Sequence, residues 1–339
     1  MPNQVHIAVD AMSGDEGLPV VVAASKALLA SYPNLKLSLI GQAARISELA
    51  TDDERLLIVD AESVVTMTDK PAHALRKKSE SSMAKAIKML AEGRADACVS
   101  AGNTGALMAF GLKHLGAING ISRPAICRAV PTARNKCYLL DLGANIECTA
   151  ENLRQFAVMG AALAGMGRSE PAKVGLLNIG TEAHKGGTLQ QDAADLIRAE
   201  RDLEFIGFVE GNDVYSGIAD VVVCDGFSGN ILLKSSEGVA LLLQESLWGM
   251  FRSAGLMGKL AYAVARPILK CWQKRYDPCE YNGAALLGLK GVVVKSHGSA
   301  KVNGFAAALN VAYEQANANW LEQLIEILDK KKQNSEIVV

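Results

Sequence analysis

The chain has 339 residues, 50% of them apolar and 21% charged, enough for a sizeable core in one large domain or two ordinary ones. A formal net charge of −1 argues against bulk nucleic-acid binding, and 5% aromatic residues leave few platforms for stacking single strands. Seven cysteines (Cys98, Cys127, Cys137, Cys148, Cys224, Cys271 and Cys279), an odd count without CxxC, fit buried thiols of a reducing compartment rather than a disulfide scaffold.

Residues 5–9 read as the first strand, with no signal peptide before His6, and no apolar run is long enough to span a membrane. A helix over 19–30, a strand over 35–40, a short helix over 43–50 and a strand over 56–59 follow. This alternation predicts a doubly wound, mostly parallel sheet. The first turn, residues 10–15, lacks GxGxxG, so the dinucleotide fingerprint is missing from its expected place. Residues 70–80 carry Lys70, His73, Arg76, Lys77 and Lys78 and read as a solvated loop or a landing patch for an acidic partner. Then come a helix over 82–92, a strand over 97–100 and a helix over 103–115. AICRAV and KCYLLDL flank PTARN, which predicts an antiparallel hairpin. Thr149 caps a long helix over 149–166. Residues 173–178, 205–209 and 221–223 read as strands.

The stretch VVVCDGFSGNILLKSSEG, residues 221–238, runs from a buried strand through a tight polar turn into an apolar helix. One reading is an ordinary helix start, with Ser228 as N-cap. The other is an anion site of backbone N–H groups at the helix N-terminus, with Asp225 and Asn230 at the strand's carboxyl end. Repetition favours the second. Six strand ends run into turns rich in Gly, Asn, Asp, Ser or Thr, and those with Lys185, Asn230 and Lys301 carry a residue suited to phosphate or a carbonyl.

Residues 247–276 leave the α/β rhythm. They hold Arg252, Lys259, Arg266, Lys270, Lys274 and Arg275, and no acidic residue. Lys259, Arg266, Lys270 and Lys274 share one helical stripe; Leu260, Val264, Ile268 and Trp272 share another. An apolar turn, residues 254–258, joins two helices, and Pro267 is expected to kink or restart the second. The readings are a packed hairpin, as an oligomer contact, and a peripheral membrane foot with Leu256, Met257 and Leu260 at its tip. Residues 291–296 read as the last strand, 304–328 as a long closing helix, and Lys330–Lys332 as the start of a frayed tail. The whole reads as a single α/β unit over 1–339 with a protruding helical hairpin over 244–276.

The chemistry narrows by elimination. Five scattered histidines and no CxxC give no metal site, and no cofactor is expected. In residues 180–187 Lys185 precedes its glycines, so a Walker motif is absent; a lysine on a glycine-rich turn still suits one phosphate or an oxyanion. GFSGN around Ser228 is not a nucleophile elbow. Cys148 stands near a helix N-terminus but has no assignable histidine partner. What remains is a site of amides, Asn, Thr and Lys. It suits attack by bound phosphate on an activated carbonyl such as a thioester, where orientation and electrostatics supply most of the rate.

DAMSGD, SAGNTGAL, DLGAN, IGTEAHKG, CDGFSGN and HGSAKVNGF, in order along nearly the whole chain, resemble the bacterial phosphate acyltransferases. Ser13 departs from that pattern, which usually has glycine there. The resemblance implies a three-layer α/β/α fold like phosphotransacetylases and isocitrate/isopropylmalate dehydrogenases, usually dimeric. It implies transfer of a long-chain acyl group from acyl carrier protein to inorganic phosphate, giving acyl phosphate for phospholipid synthesis. By position it implies Lys185 and Asn230 as a central polar pair, and Asn103 and Thr104 with the Gly102 and Gly105 backbone as a phosphate cradle. Asp225, His297 and Lys301 are implied as orienting groups, with Gly180, Thr181, Ser228, Gly229 and Asn303 as further binding positions. The acidic carrier, an anionic membrane and a membrane glycerol-phosphate acyltransferase become the expected partners of a cytoplasmic enzyme on the inner face of the cell membrane. Two other readings stay open: a short-chain coenzyme A-dependent phosphotransacetylase and a non-catalytic scaffold of lipid synthesis.

Overall fold

The computed structural model describes residues 4–50, 52–276 and 281–336. Cys279 lies outside them, as do the side chains of Lys274 and Arg275. In chain order the first half contains β1 (Val5–Asp10), α1 (Leu18–Ser31), β2 (Leu35–Gly41), α2 (Ala43–Leu49), β3 (Leu56–Asp60), α3 (Pro71–Lys77), α4 (Ser82–Ala91), β4 (Ala97–Ser100) and α5 (Thr104–His114). There follow β5 (Ala125–Pro131), β6 (Lys136–Leu140), α6 (Ala150–Gly165), β7 (Lys173–Leu177), α7 (Thr188–Arg198), β8 (Glu204–Val209) and β9 (Val221–Val223). The chain closes with α8 (Gly226–Ser253), α9 (Gly255–Tyr276), β10 (Ala284–Leu287), β11 (Val292–Lys295), α10 (Val302–Asn317) and α11 (Trp320–Glu336).

The strands form one sheet in the order β3-β2-β1-β4-β11-β10-β5-β6-β9-β7-β8. Alternating residues along β1 enter different cores. Val5, Ile7 and Val9 pack with α1, α6 and α10, while Ala8 packs with α4 and α5. A third cluster, with Leu139 and Val222, takes Leu232 and Leu233 of α8. Burial on both faces is why these strands read as continuous apolar runs, and it gives the three-layer α/β/α architecture.

The direction of the strands places the site. β3, β2, β1, β4 and β11 run parallel. β10 is antiparallel to both β11 and β5, and β5 is antiparallel to β6. From β6 through β9 and β7 to β8 the strands are parallel again, now in the opposite sense. The expected hairpin is therefore the reversal at the centre of the sheet, and its Thr132 Oγ1 accepts the N–H groups of Arg134 and Asn135.

Several expectations are corrected. Residues 70–80 are not all loop, because Pro71 opens the short helix α3. The closing helix is broken into α10 and α11, with Asn319 at φ 48° between them. α11 continues through Lys330 to Glu336, where a frayed tail was expected. The turn between α8 and α9 is only Ala254, so Leu256 and Met257 belong to the first turn of α9. α9 runs on through Pro267. Trp248 and Phe251 of α8 meet Tyr262 of α9 edge-on, at ring-centroid distances of 5.4 and 5.8 Å.

Gly229 is the closest approach of α8 to the sheet: a Cβ there would lie 2.0 Å from the Asp141 carbonyl oxygen and 2.7 Å from Cys224 Sγ. Gly229→Ala is expected to cost about 1–3 kcal/mol by overpacking, read as a lowered urea midpoint. An unchanged midpoint would show that α8 can lift away freely.

Candidate active site

The strand reversal divides the expected site between two edges of the sheet. The carboxyl ends of β1, β4 and β11 form one edge and those of β6, β9 and β7, pointing the opposite way, form the other; Val294, Ala285, Cys127 and Leu140 are level in the register, so the two edges meet at one height of the sheet.

On the first edge the turns bind one another. Buried Ser100 donates its hydroxyl to Asp10 Oδ2 at 2.7 Å and accepts the Gly102 N–H at 3.1 Å. Ser13 Oγ accepts the Ala101 N–H at 3.1 Å. Ser13, the departure from the family pattern, thus gains a structural bond that glycine could not make. Lys295 Nζ donates to the Ala101 carbonyl at 3.2 Å and to the Ser296 carbonyl. Asn103 is the N-cap of α5, accepting from Ala106 N at 3.0 Å, and its amide donates to the Met67 and Asp69 carbonyls. In the expected cradle, the Gly102 N–H and the Asn103 side chain are engaged by the chain itself. Thr104 is half-buried and Gly105 exposed at the start of α5. His297 is exposed on the loop after β11, Lys301 occupies the N-cap position of α10 with no side-chain cap bond, and Asn303 is exposed.

On the second edge Asp225, not Ser228, is the N-cap of α8. Its carboxylate accepts Ser228 N at 2.9 Å and Ser228 Oγ at 2.8 Å. A cleft of about 440 Å³ is lined by Asn178, Ile179, Gly186, Gly187, Asp225 and Ser228, among others. Asn178 donates to the Lys185 carbonyl at 3.0 Å and so holds the lysine's turn. Lys185 is half-buried beside Gly180, where a Cβ would meet its Cγ at 3.1 Å. Thr181 is exposed and Gly180 buried.

Asn230 faces elsewhere. It stands two residues from Ser228 and from Leu232, roughly 200° around a helix of 3.6 residues per turn. Its side chain lies against Gly143. Lys185 lies beside Gly180 and Asn230 against Gly143, and no hydrogen bond joins the two side chains among the described residues. Reading turns as strand ends could not show this, because it leaves out the rotation of the helix.

The electrostatics remove some chemistries. Burial raises the thiol pKa of Cys98, Cys127, Cys137 and Cys224. Cys148 is pushed up to about 11, by burial first and then by Asp141. Burial likewise raises the carboxyls of Asp10 and Asp141. No cluster of three metal-ligating side chains occurs among the described residues. Lys295 was missed in the sequence because it ends an apolar strand; burial holds it at about 8, below the ordinary 10.5.

Two measurements follow. Alkylation at about pH 7.5 needs thiolate, so peptide mapping is expected to find exposed Cys271 modified and Cys148 spared; fast labelling of Cys148 would restore a reactive thiol. For Lys295, the folded state bears a buried charge below about pH 8. Between about 8 and 10.5 it has released the proton that the unfolded chain still holds, so stability from this residue rises with pH. The urea stability of wild type minus that of Lys295→Met is expected to increase across that window. A pH-independent difference would mean that the ammonium is solvated.

A family model described as "Fatty acid synthesis protein" matches residues 5–323. A curated phosphate acyltransferase of Saccharophagus degradans is 50% identical over 325 residues, covering 94% of each chain. That of Pseudomonas fluorescens is 49% identical over 324 residues, covering 94% of this chain and 96% of that protein. Among solved structures, a phosphotransacetylase from Streptococcus pyogenes superposes with a TM-score of 0.60 at 18% identity, covering 92% of this chain and 94% of that one. The EutD phosphotransacetylase from Staphylococcus aureus gives 0.58 at 16%, covering 93% and 96%. At these identities the structural neighbours share the fold.

Proposed function

The chain belongs to the phosphate acyltransferase family of fatty acid synthesis proteins, and from that premise we propose that it transfers a long-chain acyl group from acyl carrier protein to inorganic phosphate. Phosphate attacks the thioester carbonyl directly and the carrier thiolate leaves, giving acyl phosphate. The observation that carries this reading is the match to phosphate acyltransferases over 94% of the chain at half identity. The donors at the strand ends support it. Lys185, Asn230 and the N-terminus of α8 offer cation, amide and N–H groups, while the buried thiols are held protonated. Such groups orient reactants and stabilise an oxyanion without a covalent intermediate. No cofactor enters the reaction; inorganic phosphate is the co-substrate.

The reading extends to the surface. Leu256 is 84% and Met257 73% exposed, and Leu260, Val264 and Ile268 point outward with them. Lys259, Arg266 and Lys270 are exposed beside them. An apolar strip flanked by cations suits the anionic inner face of the cell membrane and delivery of product to a membrane glycerol-phosphate acyltransferase. No described helix is long and apolar enough to cross the membrane. Along α8, Val239, Leu242 and Leu243 are exposed, which suits a second copy in a homodimer.

Phosphate-dependent loss of palmitoyl–acyl carrier protein tests the reading. The purified chain is expected to consume it only with phosphate, and Lys185→Ala to lower kcat by about 100-fold or more, as for loss of an oxyanion donor. Cleavage without phosphate would make the chain a thioesterase. Turnover of acetyl–coenzyme A alone would favour the short-chain phosphotransacetylase.

A further inference from the structure

Glu237 and three cations, Lys295, Lys234 and Arg128, lie within electrostatic reach of His297. Two are taken up by the protein. Arg128 donates to Glu237 Oε1 at 2.5 Å and to the Tyr281 carbonyl at 2.5 Å. Lys295 donates to the carbonyls of Ala101 and Ser296. Lys234 is exposed and has no ion pair or hydrogen bond among the described residues.

The rotation of α8 places that third cation. The bond between Glu237 and Arg128 ties the helix to β5, and Asn230 lies against Gly143 after β6. Asn230, Lys234 and Glu237 are spaced i, i+4, i+7, which puts them on one stripe. Lys234 therefore stands between Asn230 and the Arg128–Glu237 pair, above the flank of α8 that looks toward His297. Around it, residues 231–244 carry no other charge than Lys234 and Glu237, and Glu237 is already neutralised.

His297 stands on the loop after β11. Its Nδ1 accepts the Ser299 N–H at 3.2 Å, which leaves the ring proton of the neutral imidazole on Nε2. Asn282 fixes the loop, accepting the His297 N–H at 3.0 Å and donating to Ser296 Oγ and the Gly304 carbonyl at 2.8 Å each. Partial burial lowers the imidazole pKa.

We propose that Lys234 is a substrate-binding residue that seats a phosphate oxyanion between α8 and the loop after β11, with the His297 Nε2–H as the second donor. It links the Asn230 flank to the loop after β11, two parts of the site that stand on different sheet edges. The oxyanion is either free inorganic phosphate or the phosphodiester that joins a carrier protein to its thioester arm. The proposal rests on the acyl-transfer reading for the identity of its ligand.

Binding without turnover separates the two. Calorimetry would use the full chain and its Lys234→Ala and Lys234→Arg variants, titrated with inorganic phosphate, with carrier protein bearing its arm, and with carrier protein lacking it. Lys234→Ala is expected to weaken one ligand about tenfold, the loss of one charge-assisted hydrogen bond, and Lys234→Arg to recover most of it. Weaker phosphate binding identifies free phosphate. Weaker binding of the armed carrier, with the armless one unaffected, identifies the phosphodiester. Unchanged binding of every ligand overturns the proposal. So does equal weakening of both carriers with phosphate unchanged, which would make Lys234 a contact for the carrier's surface. An inactive chain that shows the Lys234 effect would sink the transfer reading alone.

Discussion

A carboxylate sealed from water governs the geometry of the second edge. Asp141 is fully buried at the end of β6 and accepts N–H groups from Ile126, Ala144 and Asn145, and the Asn145 side-chain amide, at 2.7–3.2 Å. Burial still raises its pKa, so the bonds offset desolvation without cancelling it. Gly226 and Gly229 let the start of α8 press onto this residue and onto the Asn145 carbonyl. A side chain at either glycine would lift the helix. The entry angle of α8, and with it the direction of Asn230, Lys234 and Glu237, is thus set where β5, the turn after β6 and the helix meet.

The alternation of strands and helices was legible in the chain because both sheet faces are buried. Continuous runs such as residues 221–223 and the alternating partners of β1 leave little ambiguity. The hairpin from Ala125 to Leu140 was legible from its turn. β10 was not: AALL lies next to Gly283 and Gly288 and is too short to carry a period. Missing it hid the arithmetic of strand directions. With β10 antiparallel to both neighbours and β5 antiparallel to β6, six similar turns become two groups of three. The motifs marked the six turns without saying which stand together.

The two groups differ in character. On the first edge side chains satisfy the turn backbone, through Ser13, Ser100 and Lys295, and so brace the turns against one another. On the second, a cleft of about 440 Å³ opens beside Gly186, Gly187 and Ser228. α8 is the element common to both, since its first turn borders the cleft and Glu237 is bonded beside the first edge. The proposed transfer, with no protein nucleophile, would depend on holding two reactants in register, and α8 is the element that both edges share.

The same helix also sets a distance. From Asn230 to the end of α8 at Ser253 the axis runs about 35 Å, at 1.5 Å per residue. One leaflet of a bilayer has only about 15 Å of hydrocarbon, half of the usual thickness. In the proposed membrane contact, a hairpin standing upright on Leu256 and Met257 would hold Asn230 farther from the lipid than one leaflet is thick. An acyl product would then cross an aqueous gap along the outside of the hairpin, where Leu241, Leu242 and Met250 are exposed. Under that arrangement the length of the hairpin would set how far an apolar product travels.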